Sequence, residues 1–579
     1  MLSRSWILLA ASALGACATP QIDTASPATG ATGPSASLGT GMVSAADPRA
    51  AEAGVEMLRQ GGSAADAAFA TLLALTVVEP QSSGIGGGGF LVYDDGHGKT
   101  QTYDGRETAP MAATGDWFLV DGKPMPFDQA QPGGKSVGVP GNIRLMALAH
   151  RQHGKLAWKA LFQPAIRLAR DGFAVTNRLN FALARGDDEG SSIAGLTAAG
   201  RALYFGADGK PLPVGTTIRN PALADFLTRL AELGPDIFYV GPNAEAIAAS
   251  VSRAPHNPAP MTVGDIASYD AKERPPICGI YREYRICGMG PPSSGAITVY
   301  AILNQLERFD LGKLGPNDPA SWHLIAESMR LAYADRDKYL ADADFVSVPV
   351  AGLTNPAYLA GRSALISPTA TITNLSAGTP PGAPSIACRA DTPERGTSHF
   401  VAVDQWGGVA SETSTIESAF GSGLMVSGYY LNNELTDFSF LPEKDGCPVA
   451  NRVKGGKRPR SSMAPTIVYG PDGRVRLAVG AAGGSTIIAQ VAKAIIGVID
   501  WNLPAQDALA LPMLYAPAGD KVYLERGTFL EGMAPQLAQL GHSLGFVPPG
   551  MFKANAIEWR DGRWQGAADP RSEGAAVSQ

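Results

Sequence analysis

The run Arg395-Gly396-Thr397-Ser398-His399-Phe400-Val401-Ala402-Val403-Asp404 places a glycine–threonine bond where a Pro-, Thr- and Ala-rich segment, residues 367–396, gives way to strand-like alternation. That junction can do chemistry. If the Thr397 hydroxyl attacks the Gly396 carbonyl, the peptide becomes an ester, and water then frees Thr397 as a new N-terminus. Its α-amine, with a reference pKa of about 7.7–8.0, is a base near neutral pH. A threonine beside its own N-terminal amine is an activated nucleophile. The glycine before the bond is expected to permit strained backbone angles that a side chain forbids.

The elements that would position this junction are readable on both sides. Residues 401–404, a four-residue loop 405–408 and residues 409–416 pattern as a β-hairpin. Folded about that loop, Thr397 faces residues 415–416, and Thr415 comes within one register step. A second hydroxyl there can orient the nucleophile. Threonines are also good strand formers, so spacing alone leaves a purely structural reading open.

Upstream, Asp47 caps an expected helix that has Pro48 in its first turn and stops at Gly61, and Ser63 opens another from Ala64 to about Val78. The run Ser82-Ser83-Gly84-Ile85-Gly86-Gly87-Gly88-Gly89-Phe90 lacks the Gly-Lys-Ser/Thr ending of a phosphate loop and precedes a strand. Its glycines are expected to let strands pair against a buried backbone. Residues 140–345 read as mostly helical, and 277–287 as a hairpin turning at Tyr281-Arg282-Glu283. No internal repeat is evident.

Composition bounds the function. A 17% share of charged residues against 45% hydrophobic ones fits a globular chain with a sizeable core. A net charge of −6 without any basic run argues against nucleic-acid or anionic-membrane binding. Arg4 and the apolar run 6–14 read as an export signal too short to span a bilayer. Leu14-Gly15-Ala16-Cys17 resembles a bacterial lipobox, which makes Cys17 the candidate lipidation site and residues 1–17 the signal peptide. The alternative is an ordinary signal cut after Ala18. Residues 18–37 lack large apolar side chains and read as a flexible tether. No ligand spacing for a metal is present, and no cofactor is expected. Cys278, Cys287, Cys388 and Cys447 allow three pairings, which an oxidising compartment permits. Cys278 and Cys287 lie on opposite arms of the expected hairpin, and if they pair, the other two can pair with each other.

Thr397-Ser398-His399-Phe400, with Val403-Asp404 after it, resembles the processing site of the γ-glutamyltranspeptidases, a family of N-terminal-nucleophile hydrolases. Further motifs carry the resemblance along nearly the whole chain. They are residues 61–67 (Gly61-Gly62-Ser63-Ala64-Ala65-Asp66-Ala67), 79–90, 291–295 (Pro291-Pro292-Ser293-Ser294-Gly295), 431–433, 459–463 and 480–485. The resemblance implies an α+β fold, the four-layer αββα sandwich. It also implies a precursor that cuts itself between Gly396 and Thr397 into a large piece, 38–396, and a small piece, 397–579, which remain together as a heterodimer. It implies that Thr397 is the nucleophile with Thr415 beside it, and that the backbone amides of Gly483 and Gly484 form the oxyanion hole. Arg106, in Asp104-Gly105-Arg106-Glu107-Thr108-Ala109-Pro110, would grip the substrate α-carboxylate with Ser461 and Ser462. Asp437 would bind the α-ammonium, and Glu434 stands where relatives carry Gln or Glu.

Two departures stand out. Glu417 occupies a position that is usually Asn, and an ionised Glu cannot donate from its side chain, although it could pair with an α-ammonium. The stretch 438–457 is shorter than in the best-studied relatives and lacks the tyrosine some use as a lid. The implied activity is γ-glutamyl transfer from glutathione or related amides to water or an amino acid, in the periplasm, with the membrane reached only through a lipid on Cys17. Two alternatives are a related amidase, such as a cephalosporin or glutaryl acylase or an enzyme acting on poly-γ-glutamate, and a catalytically silent surface lipoprotein.

Overall fold

A computed structural model describes residues 40–185, 192–384, 388, 394, 396–548, 550 and 552–579. Cys17, the signal segment, the tether 18–37 and Arg395 lie outside the described residues. Among the described residues, thirteen strands build two antiparallel sheets. They are β1 (Met42–Ala45), β2 (Gly88–Asp94), β3 (Thr100–Asp104), β4 (Lys272–Arg274), β5 (Ile277–Tyr281), β6 (Tyr284–Gly288), β7 (Ser398–Val403), β8 (Val409–Thr415), β9 (Thr466–Tyr469), β10 (Val475–Ala482), β11 (Lys553–Arg560), β12 (Arg563–Ala568) and β13 (Ala575–Ser578). The first sheet runs β13-β1-β7-β8-β2-β3-β4 and the second β12-β11-β10-β9-β6-β5.

Side-chain alternation explains the layering. Along β7, Phe400 and Ala402 join a core with helices α1 (Pro48–Arg59) and α2 (Ala64–Val78), as do Leu91 and Tyr93 of β2. The alternate residues, Val401 and Val403 with Phe90 and Val92, enter a second core. That core lies between the sheets and continues to helices α3 (Gly295–Leu306), α4 (Pro319–Tyr339) and α5 (Thr486–Ile499). Period-two strands buried on both faces therefore make helix, sheet, sheet and helix layers, the αββα sandwich. Asp47 caps α1 by accepting from the Arg49 amide, and Ser63 and Asp66 form a reciprocal capping box on α2.

The glycine run works by closeness. A Cβ on Gly86 would stand 1.9 Å from the Tyr430 carbonyl oxygen, and one on Gly87 would stand 1.9 Å from that of Thr415. Only glycine lets these backbones touch, and the contact brings the end of β8 to the start of β2. The hairpin at 277–287 forms with Cys278 directly opposite Cys287, and the two are joined as a disulfide. Cys388 and Cys447 form a second disulfide, beside a bridge between Cys388 and Val449. Residues 367–384 carry neither helix nor strand.

The β7–β8 loop differs from the sequence expectation. It has five residues, 404–408, because Asp404 belongs to the turn instead of the strand. Its amide donates to the Gly408 carbonyl at 3.0 Å. Its carboxylate accepts from the amides of Trp406, Gly408 and Ala64, each at 2.9 Å. Ser398 pairs with Ser414 in the resulting register, so Thr397 stands opposite Thr415. Among the described residues, no helix is long and apolar enough to cross a membrane.

Candidate active site

Thr397 sits at the mouth of β7, buried, with its side chain on the face between the sheets. The chain is uncut. The Thr397 hydroxyl donates to the Gly396 carbonyl oxygen, and the Thr415 hydroxyl donates to the same oxygen at 2.9 Å. Thr415 Oγ1 in turn accepts from the Glu417 amide at 2.7 Å. The carbonyl before the nucleophile is thus held by two hydroxyls, one from each strand of the hairpin.

Gly396 does not adopt a left-handed conformation, contrary to the strained backbone expected from its sequence position. The requirement is one of space. A Cβ there would lie 2.4 Å from the carbonyl oxygen of Glu417, in the turn after β8. Glycine lets the segment approaching Thr397 pass against that turn.

Around this junction the structure gathers the other residues singled out in the sequence. Arg106, Thr397, Thr415, Glu417, Glu434, Asp437, Ser461, Ser462 and Gly484 line one cavity. Gly483 is next to it and precedes α5, with φ of 121° at Gly483 and 58° at Gly484. Both angles favour glycine, which leaves the turn amides open to a close approach. The sequence motifs act as scaffolding. Asn432 accepts from the amides of Gly138 and Glu434, and Asn433 donates to Glu417 at 2.7 Å while accepting from the Ser418 amide at 2.8 Å. The Ser294 amide donates to the Ser461 carbonyl at 2.7 Å, and the Ser461 amide to that of Pro292 at 3.1 Å. The loop 291–295 therefore sets the course of Ser461 and Ser462.

The electrostatics are unusual. Arg106 is fully buried, and its two terminal nitrogens pair with Glu434 and Asp437. It also donates to the carbonyls of Pro459 at 3.2 Å and Arg460 at 3.0 Å. Burial alone would lower its pKa, but Glu434, Asp437 and Glu107 more than offset this, and it stays charged. Burial pushes the carboxyls of Glu434 and Asp437 well above their usual range, and Arg106 opposes the shift. Glu107 is pushed up to about 7 by burial, again opposed by Arg106. One guanidinium is therefore shared among three buried carboxyls in the site. His399 follows one residue after Ser398 and accepts or donates at 2.8 Å to Thr413; burial lowers its pKa to about 3, so it is neutral.

Three residues of the site escaped sequence reasoning. Glu394, three positions before Thr397, lies in the same cavity. Its carboxylate accepts from the Ser462 amide at 2.9 Å and from Arg336 of α4, and Arg460 Nε lies 4.0 Å away. Arg336 also donates to the hydroxyls of Ser462 and Ser294. In sequence, Arg336 falls in a charged run, Asp335-Arg336-Asp337-Lys338, that looks like a solvated helix face, yet it is buried. With Glu394 and Gly396 in place, the cavity keeps only about 10 Å³ of free space, room for one water at most.

The sequence profile of the family described as Gamma-glutamyltranspeptidase matches residues 50–579. The chain belongs to that family. Its likeness to individual members spans the whole fold. It is 36% identical over 550 residues to the glutathione hydrolase proenzyme of Bacillus subtilis (strain 168), covering 93% of this chain and 91% of that protein. It is 34% identical over 552 residues to the acylase ACY 1 proenzyme of Pseudomonas sp. (strain SE83), covering 94% of each. Among solved structures, the cephalosporin acylase from Bacillus halodurans superposes with a TM-score of 0.81 at 28% identity, covering 93% of this chain and 96% of that one. Family membership and the four-layer sandwich thus agree across both sheets.

Proposed function

We propose that this chain is a γ-glutamyl transferase and hydrolase that acts on glutathione and related γ-glutamyl amides after cutting itself between Gly396 and Thr397. The observation that carries the reading is the scissile carbonyl held by the hydroxyls of both Thr397 and Thr415. In the first step Thr397 Oγ1 bonds to the Gly396 carbonyl carbon, the C–N bond breaks, and the hydroxyl proton ends on the Thr397 nitrogen. Water then cleaves the ester, leaving a Gly396 carboxylate and a free Thr397 with both its hydroxyl and its α-amine.

The same hydroxyl next attacks the γ-amide of a substrate, with the α-amine as base. The leaving amine departs with a proton, and water or an amino acid takes the γ-glutamyl group from the ester. The amides of Gly483 and Gly484 suit the developing oxyanion, where each donor is worth about 3–4 kcal/mol. Arg106 takes the α-carboxylate together with Ser461 and Ser462, and Asp437, Glu434 and Glu417 take the α-ammonium. The internal pairs support this assignment. An α-amino acid carries both charges, so its carboxylate can replace a carboxyl on Arg106 while its ammonium satisfies the carboxyls set free. Export, with lipid attachment at Cys17, belongs to the same proposal and rests on residues 4–17.

A related amidase is the second reading, favoured by Glu417 in place of Asn and by the short stretch 438–457. A glutaryl amide keeps the carboxylate and lacks the ammonium, so turnover of γ-glutamyl-p-nitroanilide against glutaryl-p-nitroanilide separates the two. The main test is the mass spectrum of the purified protein beside its Thr397→Ala variant. Two polypeptides are expected, the smaller starting at Thr397, and one inactive chain for the variant. An active single chain would overturn the nucleophile assignment.

A further inference from the structure

Glu394 is a buried carboxylate with no place in the reaction as written. Its side chain is 4% exposed. Its partners are unusual for a connecting segment. One oxygen accepts from the Ser462 amide at 2.9 Å and the other from Arg336, whose guanidinium also holds the hydroxyls of Ser462 and Ser294. Arg460 stands behind them, 1% exposed, with Nε and Nη1 lacking a hydrogen-bond partner among the described residues. Two buried guanidiniums, a backbone amide and two hydroxyls make a cradle for a carboxylate, and it opens into the cavity that also contains Arg106 and Thr397.

We infer that Glu394 is a positioning residue for self-cleavage: its carboxylate stands in for a ligand carboxylate at the Ser462–Arg336 cradle and so fixes the Gly396 carbonyl against Thr397 and Thr415. The inference rests on the self-cleavage proposed above. Geometry makes the link direct. Only one residue separates Glu394 from Gly396, so an anchored Glu394 limits Gly396 to two chain steps, a reach of about 7 Å. Farther back, Cys388 is tied to Cys447 by a disulfide. The anchor also accounts for how little free space the uncut site retains. The chain's own carboxylate occupies it, and after the cut the new end at Gly396 is free to carry the same group out and open the site.

The test uses the full-length chain. Conversion of freshly purified precursor is followed by electrophoresis for the native sequence and for Glu394→Gln, Glu394→Ala and Glu394→Asp. Loss of a charge-assisted anchor is expected to slow cutting on the order of tenfold or more for Gln and Ala, with Asp in between. A purely structural role would not move the second readout, which is binding of L-glutamate to the uncut Thr397→Ala chain by calorimetry. Adding Glu394→Ala to that chain is expected to tighten L-glutamate binding at least tenfold, because the competing internal carboxylate is gone. Cutting of Glu394→Gln at the native rate would overturn the inference. So would equal L-glutamate affinity with and without Glu394. Either result leaves self-cleavage by Thr397 standing. That reading fails on a different outcome, a Thr397→Ala chain that is still cut.

Discussion

Replacing Gly396 by alanine adds one methyl group at the most crowded point beside the scissile bond. The new Cβ would lie 2.4 Å from the Glu417 carbonyl oxygen, whereas ordinary contact begins near 3.4 Å. About 1 Å must therefore be absorbed. The obstacle is backbone, and it is backbone that matters, because the Glu417 amide donates to the Thr415 hydroxyl that holds the scissile carbonyl. Whether residue 396 or residue 417 moves, the carbonyl, Thr397 Oγ1 and Thr415 Oγ1 lose their mutual placement. A misplacement of about 1 Å at a reacting centre costs about a hundredfold in rate, or about 2.7 kcal/mol of barrier. The assay is the rate at which single-chain precursor disappears on a reducing gel after synthesis in vitro, compared with the native chain. Folding is checked by the melting temperature of each variant in the uncut Thr397→Ala background, where only a small change is expected. Gly396→Ala precursor that matures within a factor of two or three of the native rate would refute the argument that space beside Glu417 sets the requirement for glycine.

Other expectations follow from buried charge and from the disulfide. Arg106→Lys keeps a charge but cannot reach Glu434, Asp437 and two carbonyls at once; kcat/KM for γ-glutamyl substrates should fall about 10- to 100-fold, and unchanged kinetics would exclude it as the carboxylate clamp. Glu412 in β8 is buried, both its carboxyl oxygens lack a hydrogen-bond partner among the described residues, and burial raises its pKa well above the usual range. The folded state therefore keeps a proton that the unfolded chain releases, so its contribution to stability is complete below the unfolded pKa and is lost as pH rises through the folded value. Glu412→Gln should gain melting temperature over the native chain progressively from pH 5 to 9, and a gap independent of pH would contradict this. Non-reducing electrophoresis of the mature protein should give one band that splits on adding a thiol, and Cys388→Ser should give two bands without it; two bands from the native protein would disprove a covalent link through Cys388 and Cys447.

The frame around Thr397 could be read because its positions are tied to short, local rules, whereas Arg106, Glu434, Asp437, Ser461, Ser462, Gly483 and Gly484 entered only through the family resemblance. Capping residues fixed the first two helices, period-two alternation marked the hairpin, and the glycine run forecast a close backbone approach. The turn at Asp404 was misjudged by one residue because an aspartate that caps a loop and one that ends a strand look alike in sequence. The reason for Gly396 was misjudged too, since dihedral freedom is a property of the residue, while room beside Glu417 depends on a neighbour twenty-one positions away. Arg336, Arg460 and Glu394 were missed for a common cause. A charged residue in sequence is by default a solvated one, and only the packing of α4 against the 459–463 segment turns these three into a buried set. The Arg106 pairs with Glu434 and Asp437 were equally out of reach, because they join residues more than three hundred positions apart.

The order of strands in the first sheet has a further consequence for the protein as a material object. β1 comes from before residue 397, yet it lies between β13 and β7, which both come after it, and β8 is laddered to β2 in the same way. The second sheet has another such seam between β6 and β9. A chain severed at Gly396 is therefore woven, with one strand of the large piece threaded between two of the small one. Separation would expose bare sheet edges on both pieces, which invite aggregation. Once unfolded with the Cys388–Cys447 disulfide reduced, the pieces could find each other again only in a concentration-dependent encounter, unlike the single chain that first folded. With that bond reduced, the persistence of the severed protein is governed by how slowly it unweaves and is measured as a lifetime.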